Sequence, residues 1–204
     1  MTSPTGLPSP RRITASNLPL VKSGAAELHS EPSVEVLVDT LNPEPILGGA
    51  LMRARVASSK KVPSDNAGHG NLQLDPVPGF GIVLPGGLNM YYLDVAPKTE
   101  GVMHRTTSTD YLVVLHGTLS LLTPPDPFDI VEGQGTYSDP VETLCKPGDV
   151  VLQRGIIHAL SNRTDEWVRV IGMVVGSEPN RVPVIGTAAA DQLKTAVLED
   201  VWLQ

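Results

Sequence analysis

His104, Asp110 and His158 are the residues of this chain whose types and spacing could do chemistry. The first two fall in "GVMHRTTSTDYLVVLHG" (101–117) and the third in "KPGDVVLQRGIIHALSN" (146–162). Imidazole and carboxylate groups brought together can hold a divalent metal. They can also work without one as an acid–base set, because burial and mutual charge move their pKa values. Side chains alternate faces along a strand, so His104, Thr106 and Asp110 would share a face with Leu112 and Val114. Tyr111, Val113 and Leu115 would pack on the other side. A polar cluster at one end of an apolar face suits a small-molecule pocket. In the second stretch a Pro-Gly-Asp turn launches a strand and Gly155 breaks it. His158 opens the next strand and Asn162 marks the turn out.

Each residue also has an ordinary reading. His104 and His158 taken singly read as structural histidines, and Asp110 could cap its own loop beside Ser108 and Thr109. His116 with Gly117 reads as a hairpin turn, and His29 and His69 lie in polar loops. Arg105 and Arg154 could meet an acidic substrate or simply carry surface charge. Tyr91 and Tyr92 are strand residues, of which one could face the pocket. Cys145 beside a turn reads as a small packed residue.

The elements that must position these groups are short. "LNMYYLDVA", "DYLVVLH", "TLSLLT", "VETLC", "DVVLQ", "IHALS" and "WVRVIGMVV" are rich in Val, Ile, Leu, Tyr and Thr, and "FGIVL" (80–84) reads the same way. Turns such as "HG", "KPGD" and "NRTDE" separate them, a pattern that predicts an all-β sandwich or barrel. Upstream, "RRITASN" and "VEVLVDTL" read as extended pieces. The polar run after Ser58 reads as a long connection, and the segment from Val34 to Gly79 as a lid or a dimer arm. Residues 1–10 are expected to be a disordered tail, and 11–204 a single domain. Near the C-terminus, Leu193, Val197 and Val201 recur every four residues, predicting an amphipathic helix over about 187–202.

Composition sets the outer limits. A net charge of −7 and the lack of a basic stripe argue against nucleic acid as a partner. The single cysteine permits neither an intramolecular disulfide nor a thiolate zinc cluster. No stretch has the apolar length of a signal peptide or membrane helix, so the expected setting is the cytoplasm, away from membranes.

The two motif stretches resemble the paired motifs of the cupin superfamily. His104 matches the first histidine of motif one, Thr106 stands where the second belongs, Asp110 holds the glutamate position, and Gly117 closes the motif. Gly155, His158 and Asn162 match motif two, with Gln153 in place of its proline. "MHRTTSTDYLVVLHG" with "GDVVLQRGIIHALSN" also resembles small single-domain cupins, some of them fungal cupin-domain oxidoreductases of secondary metabolism. The resemblance spans about 80–176 and implies a jelly-roll, double-stranded β-helix barrel with N-terminal strand extensions. It further implies a homodimer and a small-molecule pathway enzyme acting on a polyketide or other secondary-metabolite intermediate. The reaction would be oxidoreductase or lyase/isomerase chemistry, with His104, Asp110 and His158 catalytic and Thr106, Gln153, Tyr91 and Arg154 against substrate. By the same resemblance His104, Asp110 and His158 could hold one Fe, Zn, Mn or Ni ion, or the site could work without metal. The replacements at Thr106 and Gln153 leave a non-catalytic ligand-binding barrel as the alternative.

Overall fold

The computed structural model describes residues 5–20, 31–184 and 194–204. Among them the regular structure is strand apart from one 3-10 turn, Leu47–Gly49. β1 (Arg11–Asn17) and β2 (Val34–Thr40) pair antiparallel as a separate hairpin, with Ile13 opposite Val38. β3 (Glu44–Ile46), β4 (Leu51–Ser59) and β5 (Leu88–Val95) lead into the motif region. There β6 (His104–Arg105), β7 (Ser108–His116) and β8 (Leu119–Thr123) follow closely. β9 (Ile130–Val131) and β10 (Gln134–Gly135) make a small excursion. Next come β11 (Val141–Cys145), β12 (Val150–Arg154), β13 (Ala159–Ser161) and β14 (Val168–Gly176). The chain ends with β15 (Asn180–Val184), β16 (Lys194–Leu198) and β17 (Val201–Trp202).

Two sheets carry the architecture. One has the order β12-β7-β14-β5-β4-β3, the other β11-β8-β13. From β7 the chain crosses to β8 and its neighbour β11 in the smaller sheet, returns to β12, crosses again to β13 and comes back to β14, which is the winding of the double-stranded β-helix that the cupin resemblance implies. Gly117 makes the passage from β7 to β8 possible. Its φ is +73°, and a Cβ there would sit 2.9 Å from the Trp167 carbonyl oxygen. Leu93 and Val95 on β5, Val114 on β7, Leu119 on β8, and Val170 and Val174 on β14 fill the core. Their alternate neighbours point outward, as the two-residue period demands. Burying one such side chain stabilises the fold by roughly 1.5–3 kcal/mol.

Three expectations are corrected here. Residues 5–10 are not a disordered tail: Thr5 and Leu7 are buried, and the Pro8 carbonyl accepts from Arg169 Nη1 at 2.5 Å. That arginine forms a buried two-pronged pair with Asp94, at 2.6 Å on each prong, so an apolar N-terminal segment is needed to cover it. No helix forms among the described residues of the expected C-terminal span, and β16 and β17 are strands in its place. Leu193 and the start of that span lie outside the described residues. A spacing of four is an even number, so Val197 and Val201 satisfy a strand's period as well as a helix turn. Finally, Phe80–Leu84 is a turn and irregular chain, because Gly79 and Gly81 have positive φ and Arg53 Nη1 takes the Phe80 and Gly81 carbonyls.

Candidate active site

β6 is two residues long, yet it fixes the central geometry. The His104 amide donates to the His158 carbonyl at 2.8 Å, and the His158 amide returns the bond at 2.8 Å. Residues directly opposed in an antiparallel pair put their side chains on the same face. The two imidazoles therefore emerge together, centroids 4.5 Å apart and planes tilted by 49°. Gly155, at φ +58°, ends β12 and lets the chain turn to deliver His158.

Both rings are locked alike. Nδ1 of His104 lies 2.8 Å from the Val102 carbonyl and Nδ1 of His158 lies 3.0 Å from the Ile156 carbonyl. A carbonyl only accepts, so each Nδ1 carries the proton and each Nε2 presents a lone pair. Burial lowers the pKa of His104 against the raising effect of its Val102 bond. His158 is lowered to about 4, chiefly by burial and then by the His104 charge. Two neutral bases result, side by side.

The C-terminal strand forms the roof. β17 pairs with β6, placing Trp202 opposite His104. The Trp202 indole stacks on the His104 ring at 4.1 Å, nearly parallel at 8°, and Phe80 packs against Trp202 at 4.5 Å. Asp200 holds the strap by accepting from the Thr107 amide and hydroxyl, and Arg105 Nε donates to the Glu199 carbonyl. A cavity of about 480 Å³ opens beside it, against Phe80, Ile82, Val83, Thr106, Ser177 and Trp202. Thr106 is buried and shares a hydrogen bond with the Ser108 hydroxyl at 2.9 Å.

Asp110 belongs to a second polar group. It lies on β7 within the six-stranded sheet, facing inward in one cross-strand row with Asn89, Val174 and Gln153. Burial pushes its carboxyl up against a lowering bond from Ser108. Tyr91 on β5 is buried too, and burial first and the Asp110 charge second raise its hydroxyl pKa. Asp110 Oδ1, both amide atoms of Gln153 and Asn89 Oδ1 are buried without a hydrogen-bond partner. The Asn89 amide nitrogen is tied to the Gly81 and Ile82 carbonyls, so its oxygen is aimed and fixed.

The metal set implied by the resemblance is therefore not assembled. Two imidazole lone pairs suit a metal, but Asp110 stays with Gln153 and Tyr91. Among the described residues no group of three or more His, Cys, Asp or Glu side chains could hold an ion. Arg154 is a further correction: with Gln153 facing inward, strand alternation places Arg154 exposed on the outer surface. Thr106, Gln153 and Tyr91 do face the interior. Asn162 is structural, its amide nitrogen donating to the Val95 and Glu166 carbonyls. Sequence reasoning missed Trp202, hidden in the expected helix, and Asn89, which shares the parity of Tyr91 two residues on.

Fold and site together define a jelly-roll β protein with a neutral histidine pair roofed by tryptophan and a separate buried polar row. No family model matches the chain. It is similar to Phomopsin biosynthesis cluster protein D of Diaporthe leptostromiformis, 37% identical over 100 residues, covering 48% of this chain and 46% of that protein. It is also similar to Oryzines biosynthesis cluster protein J of Aspergillus oryzae, 30% identical over 98 residues, covering 48% and 47%. The chain thus spans about half the length of the curated relatives it matches. Solved structures with partial likeness include the polyketide cyclase RemF from Streptomyces resistomycificus, at TM-score 0.41 and 14% identity over 66% of this chain and 72% of that one. A Cupin 2 conserved barrel domain protein from Salinispora arenicola has TM-score 0.39 and 16% identity over 66% and 81%. Likeness at this level carries no chemistry across.

Proposed function

We propose that this protein is a small-molecule enzyme of a secondary-metabolite pathway, performing acid–base chemistry of the lyase or isomerase type. The observation that carries the reading is the His104–His158 pair, both rings neutral, both presenting Nε2, beneath an aromatic roof. The relatives named for biosynthesis clusters supply the pathway setting. His158, the more deeply buried base, takes a proton from carbon or hydroxyl of a substrate seated beside Trp202. The imidazolium so formed at His158 returns that same proton at a neighbouring atom of the substrate, so that the site moves a proton without net gain or loss, while the Nε2 lone pair of neutral His104 accepts a hydrogen bond from the substrate. Phe80 and Trp202 exclude water from this exchange and favour a planar substrate. Asp110, kept toward its neutral acid, and the Gln153 amide supply hydrogen bonds to the substrate's polar end.

The test compares metabolites from strains carrying the wild-type gene or His158→Gln, followed by conversion of the accumulating compound with purified protein. The expected product has the same mass as its precursor, or a mass lowered by one water or one carbon dioxide. A product that has gained oxygen or lost a pair of hydrogens would overturn the reading. So would stoichiometric transition metal that disappears in His104→Ala.

A further inference from the structure

Asn89 carries an acceptor that the fold around it leaves unanswered. Its amide nitrogen donates to the Gly81 carbonyl at 3.1 Å and to the Ile82 carbonyl at 2.9 Å, which spends both hydrogens. Exchanging nitrogen and oxygen would set the oxygen against two carbonyl oxygens, so chemistry fixes the orientation. The residue is 0% exposed, so bulk water does not reach Oδ1, and that atom has no hydrogen-bond partner. A buried polar atom in this condition is rare and calls for a cause.

No neighbour on its row supplies the donor. Across the ladder Asn89 is flanked by Ser58 on β4 and Val174 on β14. The Ser58 hydroxyl is engaged by the Asp75 amide at 2.6 Å, and Val174 has no polar side-chain atom. Asp110 stands beyond Val174, two strands and roughly 10 Å from Asn89 at the usual strand spacing. Gln153 is directly opposite Asp110, so those two have a potential partner in each other, and Asn89 has none on its row. Asn89 does border the cavity: Ile82, whose carbonyl it holds, is one of the lining residues.

We infer, on the proposed reading that the substrate occupies this cavity, that Asn89 is a specificity-determining residue whose Oδ1 accepts a hydrogen bond from an O–H or N–H of the substrate. A molecule presenting a carboxylate, an ether or another pure acceptor at that position is rejected, because two acceptors repel and neither is solvated there. The substrate class is accordingly a hydroxylated or amide-bearing molecule with its donor at the buried end. Sites built to bond a substrate O–H or N–H discriminate steeply against the analogue that lacks it, since the protein's own group is then left unpaired.

The experiment measures binding of phenol, anisole, benzamide, N,N-dimethylbenzamide and benzoate to the full chain by NMR titration, with the Trp202 indole N–H as reporter at the cavity. Phenol or benzamide, or both, should bind at least about tenfold more tightly than the methylated partner, and benzoate no better than anisole. A preference seen in one pair alone supports the inference and tells O–H from N–H as the donor. In Asn89→Leu the ratios should fall to about one. That variant also releases the Gly81 and Ile82 carbonyls, so the wild-type ratios decide the matter if it does not fold. Crystals soaked in phenol or benzamide should place the donor within hydrogen-bond distance of Asn89 Oδ1. Equal affinities within both pairs, no binding of either donor, or ratios unchanged in folded Asn89→Leu would overturn the inference. So would soaked crystals with only a water on Oδ1. None of these readouts involves proton transfer, so the reading of the histidine pair and this one can fail separately.

Discussion

His104 and His158 exchange both backbone hydrogen bonds at 2.8 Å, and their rings stand 4.5 Å apart on one face with Nδ1 of each spent on a carbonyl. Backbone pairing, not side-chain attraction, brings them together. That matters because two imidazoles at this separation would repel if both were charged. The pair works as bases only while it stays neutral, and burial keeps it so.

Acid should therefore cost this protein stability over a defined window. The unfolded His158 takes up a proton as pH falls through about 6.5, whereas the folded residue resists until about 4. Between those values the unfolded chain binds more protons, so unfolding becomes easier as pH falls. The full shift corresponds to about 3 kcal/mol. Asp110 works with the opposite sign, since its raised carboxyl takes up its proton earlier in the folded state and offsets part of the loss at the acidic end. Urea titrations from neutral pH to pH 4 should show wild type weakening more than His158→Gln. Parallel curves would contradict the assignment.

Trp202 should control the ionisation of His104. Its indole covers one whole face of the ring, and burial is the main cause of that histidine's lowered pKa. Trp202→Ala would admit water, so the His104 pKa should rise toward the ordinary value in an NMR titration of the imidazole protons. His158 should not rise with it, because a more readily charged His104 pushes its neighbour down. Unchanged His104 titration would mean that the roof is not what excludes water.

How far the sequence reveals this arrangement depends on the physics involved. Strand alternation places Thr106, Asp110, Leu112 and Val114 inside and Tyr111 and Leu115 outside, because period two is local and rigid. The same rule, applied to Gln153, would have excluded Arg154 from the interior. The separation of Asp110 from the histidines is not local. It follows from β6 pairing with His158 and β17 while β7 pairs with β12 and β14, and such partner choices leave no mark in spacing. Trp202 was obscured because four-residue recurrence fits either period. The N-terminal anchor was hidden for another reason: Pro8 is held by Arg169, distant in sequence.

That anchor should be costly to break. Asp94 receives both prongs of Arg169, and the same guanidinium holds Pro8 and lies 5.8 Å from the Tyr92 ring centroid. Arg169→Met would leave a buried carboxylate without its partner, a change that typically costs about 3–5 kcal/mol. Adding Asp94→Leu should recover much of the loss, since the unpaired charge is then gone. Equilibrium urea denaturation of the single and double variants measures both. Proteolysis near residues 5–10 should accelerate in Arg169→Met first, and a single variant as stable as wild type would show the pair to be dispensable.

Gln153 should behave in the opposite way, stabilising when removed. Its amide is 2% exposed and neither of its polar atoms has a partner, although Asp110 stands directly across the ladder with its own Oδ1 unpaired. Burying a polar group without a hydrogen bond costs about 1–3 kcal/mol, so the fold carries a penalty at this position that packing does not repay. Orphaned groups of this kind are tolerated where a bound molecule completes them. Gln153→Leu, close in size and free of polar atoms, should therefore raise stability by about 1–2 kcal/mol in urea titrations. It should also weaken turnover of the accumulating metabolite mainly through KM, because the amide contributes to binding and moves no proton. A Gln153→Leu protein that loses stability would show the amide to be structural. One that gains stability with KM unchanged would remove Gln153 from the substrate site.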